Sequence, residues 1–179
     1  MIQKNDTSEL TAVEMVQLFA EKALSPVEAA KAGLERIHKY NEKVNAYNFL
    51  DEETTLAAAR RSEERWRRGI PLGPVDGVPV AVKDIFITKG WPNRKGSTII
   101  SDEPQPVDAP AIAALRRGGF VPLGRTTTPE FGWKGVTDSK LDGVTSNPWD
   151  PTKTAGGSSG GTGAAIPLGM GALGLGTDA

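Results

Sequence analysis

Between residues 154 and 176 the chain carries no charged side chain, yet nine of those residues are glycine and one is Pro167. A stretch of that length is long enough on paper to cross a bilayer. Its composition argues against this, because the glycines and the proline would leave a spanning helix poorly apolar and badly broken. It also reads badly as flexible linker, since the glycines run directly into Ala164, Ala165, Ile166 and Leu168. The pattern predicts a buried succession of loop, short helix and strand in a soluble α/β protein. Residues 1–10 contain Lys4, Asp6 and Glu9 and no apolar run, so no signal peptide is expected and the cytoplasm is the expected compartment.

Composition narrows the chemistry. At 179 residues the chain reads as one domain, and 21 basic against 22 acidic residues leave a formal charge of −1. That balance supplies no electrostatic footprint for nucleic acid or an anionic membrane. The absence of cysteine excludes a disulfide scaffold, a thiolate–zinc site and a cysteine nucleophile. A single histidine, His38, excludes a multi-histidine metal centre. No metal and no cofactor are expected.

The first third reads as helical. Thr11 with Glu14 forms a capping-box pattern, and Ser25-Pro26-Val27-Glu28 repeats it with proline at the first helical position. The second helix carries Val27, Ala30, Leu34, Ile37 and His38 at helical spacing and fades at Asn41. A third, alanine-rich helix spans about 52–68 and ends in a charged run that reads as a solvated face. A turn-rich connector then leads into Val78-Pro79-Val80-Ala81-Val82, a buried strand. An irregular segment over 88–106, a helix near 109–117 and a strand over 120–123 follow. Residues 126–133 read as another short helix, 139–154 as irregular, and 172–176 as a final strand.

Two features could carry chemistry. Lys83 interrupts an apolar stretch from Val78 to Ile87, broken only by Lys83-Asp84; alternation along a strand means that Asp84 need not pair with it. Desolvation there would lower the lysine pKa and leave a neutral base, the alternative being a strand-end ammonium that reaches solvent. The second feature is Gly156-Gly157-Ser158-Ser159-Gly160-Gly161-Thr162-Gly163. No Gly-Lys-Ser/Thr follows, so it is no phosphate loop. It matches Gly-x-Ser-x-Gly, but a nucleophile elbow needs a histidine after the serine, and His38 lies far upstream. A rigid turn placing serine hydroxyls beside a buried lysine is the remaining reading, and serine–lysine is the familiar nucleophile–base pairing that this composition leaves open.

Taken together, Gly77-Val78-Pro79-Val80-Ala81-Val82-Lys83-Asp84, Asn147-Pro148-Trp149-Asp150, Gly156-Gly157-Ser158-Ser159-Gly160-Gly161 and Gly174-Leu175-Gly176-Thr177-Asp178 resemble the amidase signature family. The resemblance covers essentially the whole chain. It implies an α/β/α sandwich around a mixed sheet, only partly present here: residues 1–179 as the N-terminal part of one domain, with helices over about 8–68 and the start of the catalytic core over about 69–179. It implies an amidohydrolase that uses a lysine, a serine in cis peptide linkage and a nucleophilic serine.

By motif, Lys83 matches the lysine and Ser158 the cis serine, with the preceding bond, Gly157–Ser158, expected to be cis. Ser159 and Asp178 match positions that organise hydrogen bonds around the serines. Thr177 and the Ala179 amide are expected near the oxyanion hole. The segment 126–132 resembles a motif near the substrate pocket, with turn and packing as its alternative role. The family's nucleophile would fall at position 182, three residues beyond Ala179, so the 179-residue fragment alone is expected to be inactive. A small-molecule amide is the expected partner, with homo-oligomerisation of the complete protein left open. An amidotransferase component releasing ammonia from glutamine, or a non-catalytic fragment, are the alternatives. Pro167 departs from the family pattern and predicts a kink or early end to the helix after the glycine loop.

Overall fold

A computed structural model describes residues 6–178. Helix α1 (Ala12–Ala20) and helix α2 (Pro26–Val44) both begin with complete capping boxes, Thr11 with Glu14 and Ser25 with Glu28. Each box satisfies two backbone donors that a helix start would otherwise leave unpaired. Helix α2 runs past Asn41, where the apolar spacing fades, and stops when Asn45 adopts the left-handed conformation. The next residues form strand β1 (Tyr47–Leu50), which leads into α3 (Glu52–Arg67) through an Asp51 cap.

The predicted apolar strand is β2 (Pro79–Lys83), with all five residues buried. Helix α4 (Pro110–Arg117) and strand β3 (Val121–Thr126) follow. A two-stranded ribbon, β4 (Asp138–Ser139) with β5 (Gly143–Val144), lies in the segment expected to be irregular. Helix α5 (Gly160–Ala165) passes into a 3-10 turn, Ile166–Leu168, at Pro167, as the missing proline N–H dictates. Strand β6 (Leu173–Leu175) is the last element among the described residues.

Four strands make one mixed sheet in the order β1-β3-β2-β6, with β2 parallel to both neighbours and β1 antiparallel to β3. Helices cover both faces. On one, Leu34 and Ile37 of α2 and Ala164 and Ala165 of α5 pack with Ala81 and Leu123. On the other, Ile112 of α4 packs with Val80 and Val82. A strand buried on both faces needs a near-continuous apolar run, which is why β2 is legible in the sequence.

One expected element differs. Residues 126–133 form no α-helix: Thr126 extends the β3 ladder opposite Tyr47 and Lys83, and only Glu130–Gly132 winds into a 3-10 turn. Strand pairing on both sides of Thr126 overrides the local helical pattern. Among the described residues no helix is long and apolar enough to cross a membrane.

Candidate active site

Alternation along β2 sends Lys83 to the same face as Ala81, toward α5, and its side chain is fully buried. Asp84 turns away. Its carboxylate accepts from Arg125 Nη1 at 3.0 Å and from Asn93 Nδ2 at 3.0 Å, beside a cavity of about 510 Å³. The Lys83 amine is thus left to hydroxyl groups. Nζ lies 2.7 Å from Ser158 Oγ and 2.6 Å from Thr177 Oγ1, and donates to both. Burial penalises the ammonium and pulls its pKa down to about 8.

Ser158 sits in the 156–160 turn that leads into α5, and its peptide bond with Gly157 is cis. Its carbonyl accepts from the Thr128 hydroxyl at 3.1 Å. Turn and sheet come together because α5 lies directly on the end of β3. A Cβ on Gly161 would collide with Thr127 N and Oγ1, so glycine is what permits the approach. Thr177 arrives by pairing: β6 runs parallel to β2, with Leu175 opposite Val82, and the chain continues to the Lys83 amine.

Ser159 does not point at Lys83. Its Oγ accepts from Thr177 N–H and donates to Thr177 O, both at 3.1 Å, which ties the turn to the end of β6. The Thr177 amide is therefore engaged, and what this residue offers Lys83 is its hydroxyl. Asp178 is the last described residue and is exposed; Ala179 lies outside the described residues. His38 is exposed on α2 and pairs with Glu52 at 2.8 Å, so it is not drawn into the site.

The 126–132 segment borders the site in two ways. Thr126 and Thr127 join Thr162 and Thr145 through hydroxyl pairs at 2.6 Å, while Thr128 holds Ser158. Further along, a Cβ on Gly132 would stand 3.7 Å from Ser158 Oγ. Next to it opens a groove of about 830 Å³ whose walls include Ile99, Phe131, Trp133 and Val144, all exposed. Sequence reasoning missed Thr128 and Thr137 as supports of the turn. Thr137 stands in no chemical pattern, Thr128 lies in the 126–132 motif without a role assigned to it, and their long-range hydrogen bonds reveal what each holds.

At this site a buried lysine amine meets the hydroxyl of a serine in a glycine-rich turn, and comparison with known proteins gives the family. The amidase family profile matches residues 28–179, and the chain belongs to that family. It is 41% identical over 174 residues to the A-type component of glutamyl-tRNA(Gln) amidotransferase from Streptomyces coelicolor, covering 97% of this chain and 35% of that protein. It is 38% identical over 168 residues to indoleacetamide hydrolase of Bradyrhizobium diazoefficiens, covering 94% of this chain and 32% of that protein. A crystal structure of an amidase superposes with a TM-score of 0.88 at 34% identity, covering 94% of this chain and 38% of the other. The chain thus spans about a third of the length of the curated relatives it matches.

Proposed function

We propose that the protein carrying this chain is an amidohydrolase in which Lys83, acting through the Ser158 hydroxyl, activates an attacking serine. The observation that carries this reading is the 2.7 Å contact between a buried lysine amine of lowered pKa and the Ser158 hydroxyl. In its neutral form Lys83 accepts the Ser158 proton while Ser158 takes that of the nucleophile. The new alkoxide adds to the amide carbonyl; the C–N bond then breaks and the relayed proton leaves with the amine. Water resolves the resulting ester by the same relay.

Thr177 keeps one N–H of the neutral amine oriented, and Ser159 ties Thr177 to the turn. Asp178 and the Ala179 amide belong, on this reading, to the surroundings of the nucleophile and the oxyanion. The family pattern puts the nucleophile at position 182, so the 179 residues alone are expected to turn over no amide.

A second reading has its own support in the 41% identity to an amidotransferase component. It makes the same relay release ammonia from glutamine for a partner protein. Steady-state assays on the full-length protein separate the two. A hydrolase turns over simple or aromatic amides unaided, whereas the amidotransferase shows glutaminase activity that requires a copurifying partner. In either case Lys83→Ala should abolish turnover, and near-normal rates in that variant would overturn both.

A further inference from the structure

We infer that Thr137 is a positioning residue for this reaction, whose one hydroxyl holds the 156–160 turn at both ends so that Ser158 Oγ meets Lys83. The inference rests on the relay proposed above, and it starts from an omission at α5. Ser159 occupies the N-cap position, where serine ordinarily accepts a hydrogen bond from the first turn of its own helix. Here it makes no such bond, because its hydroxyl is engaged with both backbone groups of Thr177. That choice fastens the turn to the segment that brings the Thr177 hydroxyl to Lys83. The first N–H of α5, that of Gly160, lies out of reach of an N-cap side chain, which serves the second or third residue, and needs an acceptor of its own.

Thr137 supplies it from a distant segment. Its Oγ1 accepts from Gly160 N–H at 3.0 Å and donates to Gly156 O at 2.8 Å. One buried side chain, 2% exposed, thereby spans the turn from 156 to 160, with Ser158 midway between. Gly160 admits the hydroxyl, since a Cβ there would collide with Thr137 Oγ1. The stretch of chain before Thr137 is the backrest: a Cβ on Gly157 would fall 2.8 to 2.9 Å from backbone atoms of residues 134–136. Thr137 is itself fixed, its carbonyl accepting from Thr145 N–H at 2.9 Å. Thr137 thus acts on Ser158 through the backbone of the turn. A misplacement of about 1 Å at a reacting centre costs on the order of a hundredfold in rate.

The test compares wild type, Thr137→Val, Thr137→Ser and Lys83→Ala in the full-length protein by steady-state amide hydrolysis, with thermal melts as a check on folding. Valine keeps the branched shape and removes both hydrogen bonds, while serine keeps the hydroxyl. Thr137→Val should lower kcat about tenfold to a hundredfold with KM within about twofold, and Thr137→Ser should stay within about threefold of wild type. A Thr137→Val kcat within about twofold of wild type, or a serine variant as impaired as the valine one, would overturn the inference. If the valine variant does not fold, Thr137→Cys takes its place under the same criteria, because a thiol bonds only weakly. Lys83→Ala separates the two levels. Full activity there sinks the relay itself, whereas loss there with a silent Thr137→Val sinks only the role of Thr137.

Discussion

At the scale of single residues, the site depends on how adjacent side chains at the end of one strand part company. Lys83 and Asp84 are neighbours in sequence, and pairing them would have kept the lysine charged. They separate because Lys83 ends β2 and Asp84 opens the turn that follows, giving Asp84 to Arg125 and Lys83 to two hydroxyls. With its pKa lowered to about 8, Lys83 gives up its proton more readily in the folded state than in the unfolded chain. The unfolded chain then binds more protons between about 8 and the ordinary lysine value. Stability should therefore rise with pH across that window, and the cost of burying the ammonium is fully present below it. On the proposed relay the same titration sets the rate: kcat/KM should climb through about pH 8 as the neutral amine accumulates. A pH–rate profile flat between about pH 6 and 10 would remove Lys83 from the role of base.

At the scale of elements, legibility tracks the kind of force involved. Capping boxes, a proline at the first helical position and a continuous β-branched run are local, and α1, α2 and β2 follow from them directly. Strand β1 is not legible in this way. Its four residues are too few for a periodicity, and what makes Tyr47–Leu50 a strand is antiparallel pairing with β3, a partner more than seventy residues away. The same partner explains the misread helix at Thr126, where ladder bonds to two strands outweigh local preference. Helix α5 makes a prediction at this scale. Its first turn lies on the backbone of Thr127 and Ala46, so Gly161→Ala must push the two apart. Overpacking of this kind should cost about 1–3 kcal/mol, measured by urea denaturation, and lower activity with it. Unchanged stability in that variant would mean that α5 is not seated on β3 as described.

At the scale of the whole molecule, residues far apart in sequence meet because the fold ends several elements at one place. Lys83 terminates β2, Thr177 follows β6, and the Ser158 turn starts α5, so the carboxyl ends of two parallel strands face the amino end of a helix. Open α/β sheets place their sites at such strand ends, where side chains are freed from the ladder. The motif residues are legible as a set because each must keep its identity to do chemistry or to permit close approach. The supports are less so: Thr137 lies in a segment without pattern, and Thr128, though inside the 126–132 motif, shows its hold on Ser158 only in the tertiary structure. The central claim is that the amine at position 83 loses its proton far more readily than an ordinary lysine. An NMR titration of the Lys83 side chain in the full-length protein, assigned with Lys83→Arg, measures this directly. A midpoint near pH 8 is the expected result, and one near the ordinary lysine value of about 10.4 would contradict the claim.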